Sequence, residues 1–295
     1  MAKYYLIVNP MSGHKKGHSI LEKIKPVFAK GNIELVIDIT THKNHPYELA
    51  KTKSLEGIDA ICIAGGDGTF HEVINGMQSR PDKKRLPLGF IPAGTGNSMM
   101  HDMDCLDPVE AVHRILANKL SKLDVFEIKT NEALIYGFNI LGWGIPVSIN
   151  RLAEKMRWLG RQRYNIASII EVMKNKTQYV EIEIDDTKLE GEFGFFIVCN
   201  TMYTGNGMKM APDALFDDGY LDILIAKKVG RLKLLSLFAK VFNGNHIGDS
   251  TIAYYRAKEF SIKPVSHDQL IIDGQNIGYT PVRGKILSQQ IDIFI

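Results

Sequence analysis

The chain has 295 residues, of which 45% are hydrophobic and 23% charged, with a formal net charge of +3. These are ordinary values for a soluble globular protein of one large domain or two, and so small a charge does not argue for a nucleic-acid partner. Cys62, Cys105 and Cys199 are far apart and form no CxxC pair, which points to free thiols in a reducing compartment and to no zinc site. Residues 1–4 lead straight into a strand, and no apolar run approaches the roughly 20 residues of a spanning helix. The expectation is a cytoplasmic protein without a signal peptide, at most peripheral to a membrane.

Tyr4 to Val8 reads as a short apolar strand, followed by the polar, basic loop Asn9-Pro10-Met11-Ser12-Gly13-His14-Lys15-Lys16-Gly17. Ser19 to Phe28 has apolar residues at helical spacing, and Ile33 to Ile39 is β-branched and strand-like. A helix over Glu48 to Lys53 and a strand over Asp59 to Ile63 come next. The strand runs into Ala64-Gly65-Gly66-Asp67-Gly68-Thr69, and Phe70 to Met77 reads as a helix. A strand, a glycine turn and a helix in that order expose backbone N–H groups that can cradle phosphate at a helix N-terminus. Asp67 is the odd residue there, since a carboxylate beside phosphate needs a task such as holding Mg²⁺ or taking a proton. The alternative is a turn that uses Gly and Asp for their turn chemistry alone. Leu88 to Ile91 is another strand, ending in Pro92-Ala93-Gly94-Thr95-Gly96-Asn97, and Asp107-Pro108-Val109-Glu110 opens a helix to about Asn118. Alternating strands and helices predict a parallel, helix-covered sheet. Its ligands bind at the carboxyl ends of strands, so the loops at 9–17, 65–69 and 92–97 are expected to share one rim.

After about Asp124 short strands dominate: Phe126–Lys129, Leu134–Leu141, Val180–Ile184, Phe193–Cys199, Leu221–Ala226, Ile252–Arg256, Phe260–Lys263 and Gln269–Ile272. Turn residues such as Asp217-Asp218-Gly219 and Asp273-Gly274 separate them. This predicts an antiparallel sandwich or barrel, interrupted by helical insertions over about 147–174 and 232–241. The domain boundary falls near 125, giving 1–125 and 126–295, with the cleft between domains the default site.

The ordered set Asn9-Pro10-x-Ser12-Gly13, Gly65-Gly66-Asp67-Gly68-Thr69 with Glu72 and Asn75-Gly76, and Pro92-Ala93-Gly94-Thr95-Gly96-Asn97 resembles the diacylglycerol kinase catalytic-domain family, which includes sphingosine and ceramide kinases. Leu123-Asp124-Val125, Asn200 to Gly207, Ala211-Pro212, Asp217 to Asp222 and Asp273-Gly274 extend the resemblance over nearly the whole chain. It implies a three-layer α/β nucleotide-binding domain, a C-terminal antiparallel β-sandwich, and a last strand free to return to the first domain. It implies ATP held by Asn9, Ser12, Thr40, Gly66, Asp67, Gly68, Thr69, Phe70, His71, Glu72, Gly94, Thr95 and Asn97. It also implies a structural Mg²⁺ on Asp218 and the carbonyls of Leu215 and Tyr220; read by itself, Asp-Asp-Gly is equally a hairpin turn. Asp67 and Asp124 are candidates for Mg²⁺ at the phosphates, and Asp67 and Asp273 for accepting the proton of an attacking hydroxyl.

Two departures bear on this. Gln275 stands where many members have Glu in Asp-Gly-Glu, and an amide cannot take a proton. Ser98 stands where many bacterial members have Asp. The run Ala153 to Tyr164 looks like the lipid-binding lobe of sphingosine kinases, yet Asn150 stands where those enzymes place an Asp for the sphingoid head group. The expected activity is ATP- and Mg²⁺-dependent phosphorylation of the primary hydroxyl of diacylglycerol or a sphingoid base. The alternatives are an NAD kinase-like enzyme, which shares the glycine turn, and a catalytically impaired nucleotide- or lipid-binding homologue. Arg157, Trp158, Arg161 and Arg163 suit a headgroup layer. Leu234, Leu235 and Phe238 are expected to pack on the sandwich, leaving the neighbouring cations solvated. Lys15 and Lys16 are expected to be solvated, Met99, Met100 and Met103 to fill core, and His42 and His45 to be surface residues without metal spacing. A homodimer is an allowed assembly.

Overall fold

The structure is a computed structural model describing residues 1–205 and 207–295; Asn206 and the side chains of His14, Arg157 and Arg161 lie outside the described residues. The chain divides into two units, Met1–Asp124 with Gln289–Ile295, and Val125–Ser288.

In the first unit four parallel strands lie in the order Leu88–Pro92, Ala60–Gly65, Ala2–Val8, Ile33–Ile39. Ala60–Gly65 and Leu88–Pro92 are buried at every position, as central strands with both faces covered must be. Alternation along Ala2–Val8 sends Leu6 and Val8 to one face and Tyr5 and Ile7 to the other. On the first face they meet Ile24 and Phe28 of the helix Gly17–Lys30 and Val112 and Ile115 of the helix Pro108–Ala117. On the other, the helix Asp67–Gln78 sets Phe70 against Phe90, ring centroids 4.6 Å apart, and packs on the helix His45–Thr52. The result is three layers. The end of the chain belongs here as well: Ile293 pairs with Leu88, and the Ile295 N–H donates to the Lys119 carbonyl at 3.0 Å.

Local chemistry explains the bounds. Asp107 Oδ1 accepts the N–H groups of Val109 and Glu110 at 2.8 and 2.9 Å, capping Pro108–Ala117. The helix expected from Glu48 starts at His45, because Pro46 sits in the first turn, where a missing N–H is harmless. The helix expected from Phe70 starts at Asp67, which places the motif's Asp67, Gly68 and Thr69 inside its first turn. Much of the loop expected over 9–17 is helical, with a single turn at Ser12–Lys15.

The second unit is antiparallel. Gln275–Tyr279, Gln269–Ile272, Ile140–Gly144, Thr187–Cys199, Gln178–Ile184, Glu259–Pro264 and the strand from Val282 are neighbours in that order. Leu221–Lys227 pairs with both Thr187–Cys199 and Ile252–Ala257. Phe126, Trp143, Phe196, Ile223 and Phe260 fill the core of this β-sandwich. The strand expected over Leu134–Leu141 is two, Leu134–Gly137 and Ile140–Gly144. The first helical insertion is also broken, into Ile145–Lys155, a 3-10 segment Arg157–Gln162, and Arg163–Lys174. Gly160 makes the break with φ +56°, a conformation that glycine adopts freely. The helix Arg231–Val241 buries Leu234, Leu237 and Val241, with Leu234 beside Ile145 and Val172; Leu235 and Phe238 are half-buried.

Candidate active site

Strand register brings the three loops together. Val8 lies level with Ile39 and with Ala64, and Gly65 lies level with Pro92. All four strands run parallel, so Asn9, Thr40, Gly66 and Ala93 leave the sheet at one rim. The chain moves outward from the first strand to the second and then back across to the third, which makes this rim a topological switch point, the place where such sheets bind ligands. Direct bonds tie the loops. Asn9 Nδ2 donates to Thr69 Oγ1 at 2.9 Å, and the Ala93 N–H donates to the Gly65 carbonyl at 2.7 Å. Gly66 and Gly94 meet backbone to backbone: a Cβ at Gly94 would lie 2.5 Å from Gly66 Cα, and one at Gly66 would lie 2.9 Å from Gly94 Cα. A Cβ at Gly13 would meet the Ala93 carbonyl oxygen at 2.2 Å. Asn97, in the left-handed region, holds the third loop by accepting the Gly94 N–H at 2.9 Å and donating to the Gly94 carbonyl at 3.1 Å.

The expected residues divide by what they can offer a ligand. Thr95 is exposed, and Ser12, Gly66, Asp67, Gly68, Gly94 and Asn97 are half-buried at the rim. The Thr69 and Phe70 N–H groups both donate to the Gly66 carbonyl inside the helix, at 2.8 and 3.1 Å. A phosphate cradle therefore has to use donors earlier in the turn. Phe70 and His71 are buried, as is Thr40, whose N–H donates to the Val8 carbonyl at 2.9 Å. Glu72 is half-buried and its carboxyl is pushed above the ordinary range by burial, against the opposing Asn44 N–H and nearby His71, Lys43 and His42.

Asp67 opens its helix, where a carboxylate is favoured by the dipole. Ser98 Oγ donates to Asp67 Oδ2 at 3.3 Å. The departure from Asp at position 98 thus supplies a hydroxyl donor beside Asp67 in place of a second acid. Lys15 and Lys16 are exposed; Met99 and Met100 are buried core residues and Met103 is half-buried.

Asp124 and Asp273 are occupied in other ways. Asp124 is fully buried in the first unit, and its Oδ1 accepts the Gln289 N–H at 2.6 Å, fastening the returning end of the chain. Asp273, in the second unit, is 2% exposed. Its carboxylate accepts the N–H groups of Phe138, Asn139 and Ile140 at 3.2, 2.9 and 3.0 Å. Those amides lie where the expected single strand is broken, so Asp273 stabilises the break. Asp273→Ala is expected to strand three buried donors and to lower unfolding stability by about 3 kcal/mol or more, at roughly 1–3 kcal/mol each. Denaturant unfolding measures this; unchanged stability with lost turnover would restore Asp273 as a proton acceptor. Gln275 begins the strand Gln275–Tyr279. Asn150 is 4% exposed and satisfied: Nδ2 donates to the Gly274 carbonyl and Asn276 Oδ1 at 3.3 and 3.2 Å, and Oδ1 accepts the Tyr164 hydroxyl at 3.3 Å.

Around Leu215–Tyr220 the donors suit a hard cation. Asp218 Oδ1 accepts the Tyr220 N–H at 3.0 Å, while Oδ2 pairs with Arg256. Asp222 beside it stands in the sequence only as the end of the motif Asp217 to Asp222, with no role of its own. Asp222 is 1% exposed, with Oδ2 buried and unpartnered, and burial raises its carboxyl above the ordinary range, helped by the charges of Asp218 and Asp213. Asp213, Asp218 and Asp222 stand against Arg256 and Lys258, which both lie over the Tyr220 ring, so the acids outnumber the cations by one, a balance that an oxygen-seeking ion would suit. Leu215 is 54% exposed.

The family model described as the diacylglycerol kinase catalytic domain matches residues 3–128, and that of the YegS C-terminal NAD kinase beta sandwich-like domain matches residues 139–295. The chain belongs to the diacylglycerol kinase and sphingosine kinase-like lipid kinase family. A sphingosine kinase of Arabidopsis thaliana is 29% identical over 89% of this chain, which spans 64% of that relative's length. A diacylglycerol kinase of Bacillus subtilis is 28% identical, covering 95% of this chain and 92% of its own. A crystal structure of a diacylglycerol kinase from Bacillus anthracis superposes with a TM-score of 0.81 at 26% identity, covering 99% of this chain and 96% of that one. The rim loops of this lipid kinase family member fall within the first match and Asp218, Asp222 and Asp273 within the second.

Proposed function

We propose that the protein is an ATP- and Mg²⁺-dependent lipid kinase acting on the primary hydroxyl of a neutral acylglycerol. The observation that carries this reading is the junction of Gly66 and Gly94, which joins two glycine loops at the switch-point rim and leaves the start of a helix facing it. Phosphoryl transfer asks mainly for positioning and charge neutralisation. Backbone donors at the start of the helix Asp67–Gln78 would orient the triphosphate, and Mg²⁺, when bound, would neutralise charge on the phosphoryl oxygens. Asp67 is the proton acceptor for the lipid hydroxyl: it stands half-buried at the rim, whereas the Asp273 carboxylate is committed to three backbone amides. Gln275 therefore need not disable the enzyme. Asp218, with Asp222 and the carbonyls of Leu215 and Tyr220, would hold a second, structural Mg²⁺.

The choice of a neutral lipid rests on Asn150. A sphingoid base carries an ammonium, which calls for a carboxylate, and this buried amide already spends its groups on Gly274, Asn276 and Tyr164. The membrane is met through the helical insertions of the second unit, where Trp158 and Leu232 are 81% and 80% exposed. Arg163 is instead paired with Glu154 at 3.5 Å and stacked over Tyr164, and the side chains of Arg157 and Arg161 lie outside the described residues. No helix among the described residues is long and apolar enough to cross a membrane.

The test is labelled ATP with vesicles carrying diacylglycerol, a sphingoid base or neither, and with NAD as a soluble acceptor. Phosphatidic acid should be the main product. Transfer chiefly to the sphingoid base would refute the Asn150 argument, and transfer only to NAD would refute lipid kinase activity. Sedimenting the same vesicles should carry down wild-type protein and markedly less Trp158→Ala; equal recovery removes Trp158 from the membrane contact.

A further inference from the structure

We propose that His42, His45 and Glu48 form a binding site for a divalent transition-metal ion of the zinc class, separate from any Mg²⁺ of the kinase reaction. Spacing alone shows no metal pattern in this pair of histidines. The fold supplies it. Among the described residues these three side chains each offer a ligand atom, all within 4.8 Å of one another. Asn44, with φ +70°, reverses the chain just ahead of the helix His45–Thr52 and brings His42 back over the first turn. His45 opens that helix and Glu48 lies three residues on, on the same side.

The His42 ring is already sorted for ligation. His42 Nδ1 lies 2.8 Å from the Lys43 carbonyl, which can only accept, so Nδ1 carries the hydrogen and Nε2 keeps its lone pair. His42 Nε2 is 3.8 Å from Glu48 Oε2. The His45 ring stacks on His42 at 4.7 Å; its Nδ1 accepts the Thr41 N–H at 3.1 Å and lies 3.2 Å from the Thr41 hydroxyl, so its hydrogen sits on Nε2, and ligation through Nε2 moves that hydrogen to Nδ1 and gives up the Thr41 N–H bond. Metal bonds of about 2.0–2.1 Å set ligand atoms roughly 3.3 Å apart in a tetrahedron. Small rotations of these surface side chains close the difference, and water fills the fourth position. Two imidazoles and a carboxylate select zinc-like ions over Mg²⁺, which prefers an all-oxygen shell. The same loop begins at Thr40 and gives the Asn44 N–H to Glu72, so a bound ion would pin a segment joined to the rim.

Cobalt(II) titration of the full chain, read by visible d–d absorption and by competition with Zn²⁺, tests this without reference to kinase activity. Saturable one-to-one binding is expected, weakened at least about tenfold in His42→Ala and in Glu48→Gln, with circular dichroism unchanged. Absence of saturable binding, or equal binding by wild type and both variants, would overturn the proposal.

Discussion

Changing Asp67 to asparagine should slow phosphoryl transfer to lipid by about 10²–10⁴-fold, the range for losing a positioned acid–base group, while the protein stays folded and still binds ATP. The side-chain shape is conserved, and Ser98 Oγ can still donate to the oxygen that remains. What disappears is the negative charge and with it the capacity to take a proton. The structural loss is confined to the helix-dipole interaction, about 0.3–1 kcal/mol. Initial rates, nucleotide affinity and a melting curve on the same preparation separate the effects. Turnover within a few-fold of wild type would remove Asp67 from the chemistry and throw the proton-acceptor role open again.

Replacing Gly94 by alanine should lower turnover by about 100-fold, because a displacement near 1 Å at a transfer site has that scale of effect. The added carbon would lie 2.5 Å from Gly66 Cα, where the neighbour is backbone and cannot rotate aside. The two loops must separate, and the helix that begins at Asp67 moves with them. Overpacking of this kind also costs about 1–3 kcal/mol, so nucleotide affinity and melting temperature should fall together. Gly57→Ala is the control, since a Cβ there meets nothing within 4 Å although φ is +67°. If Gly94→Ala bound nucleotide and turned over normally, the close contact of the loops would have no bearing on activity.

The rim was legible in the sequence because its signals are local. An apolar run, a glycine turn and an apolar helix recur in order, and the rule for parallel sheets then puts every such turn at one end. The change in strand texture near Asp124 separated a parallel, helix-covered sheet from an antiparallel sandwich or barrel, and the family resemblance supplied the three layers and the choice of a sandwich. What sequence left hidden depends on distant partners. Nothing near Asp273 announces that its carboxylate is bound to amides at Phe138, Asn139 and Ile140, 133 to 135 residues away. The gap between Leu134–Gly137 and Ile140–Gly144, residues Phe138 and Asn139, was invisible for the same reason, since the acid that holds its amides is distant in the chain. Ser98 read as a missing acid until its hydroxyl was found on Asp67. The histidine cluster was hidden by a single left-handed residue, Asn44, which no periodicity reports.

Residues 289–295 complete the first unit, with Ile293 beside Leu88 and Asp124 fastened to Gln289. Synthesis runs from the N-terminus at about 5–20 residues per second, so the first half to emerge from the ribosome cannot finish folding until the second half has also been translated. A premature stop that removes only this stretch would injure the part of the protein encoded farthest from it.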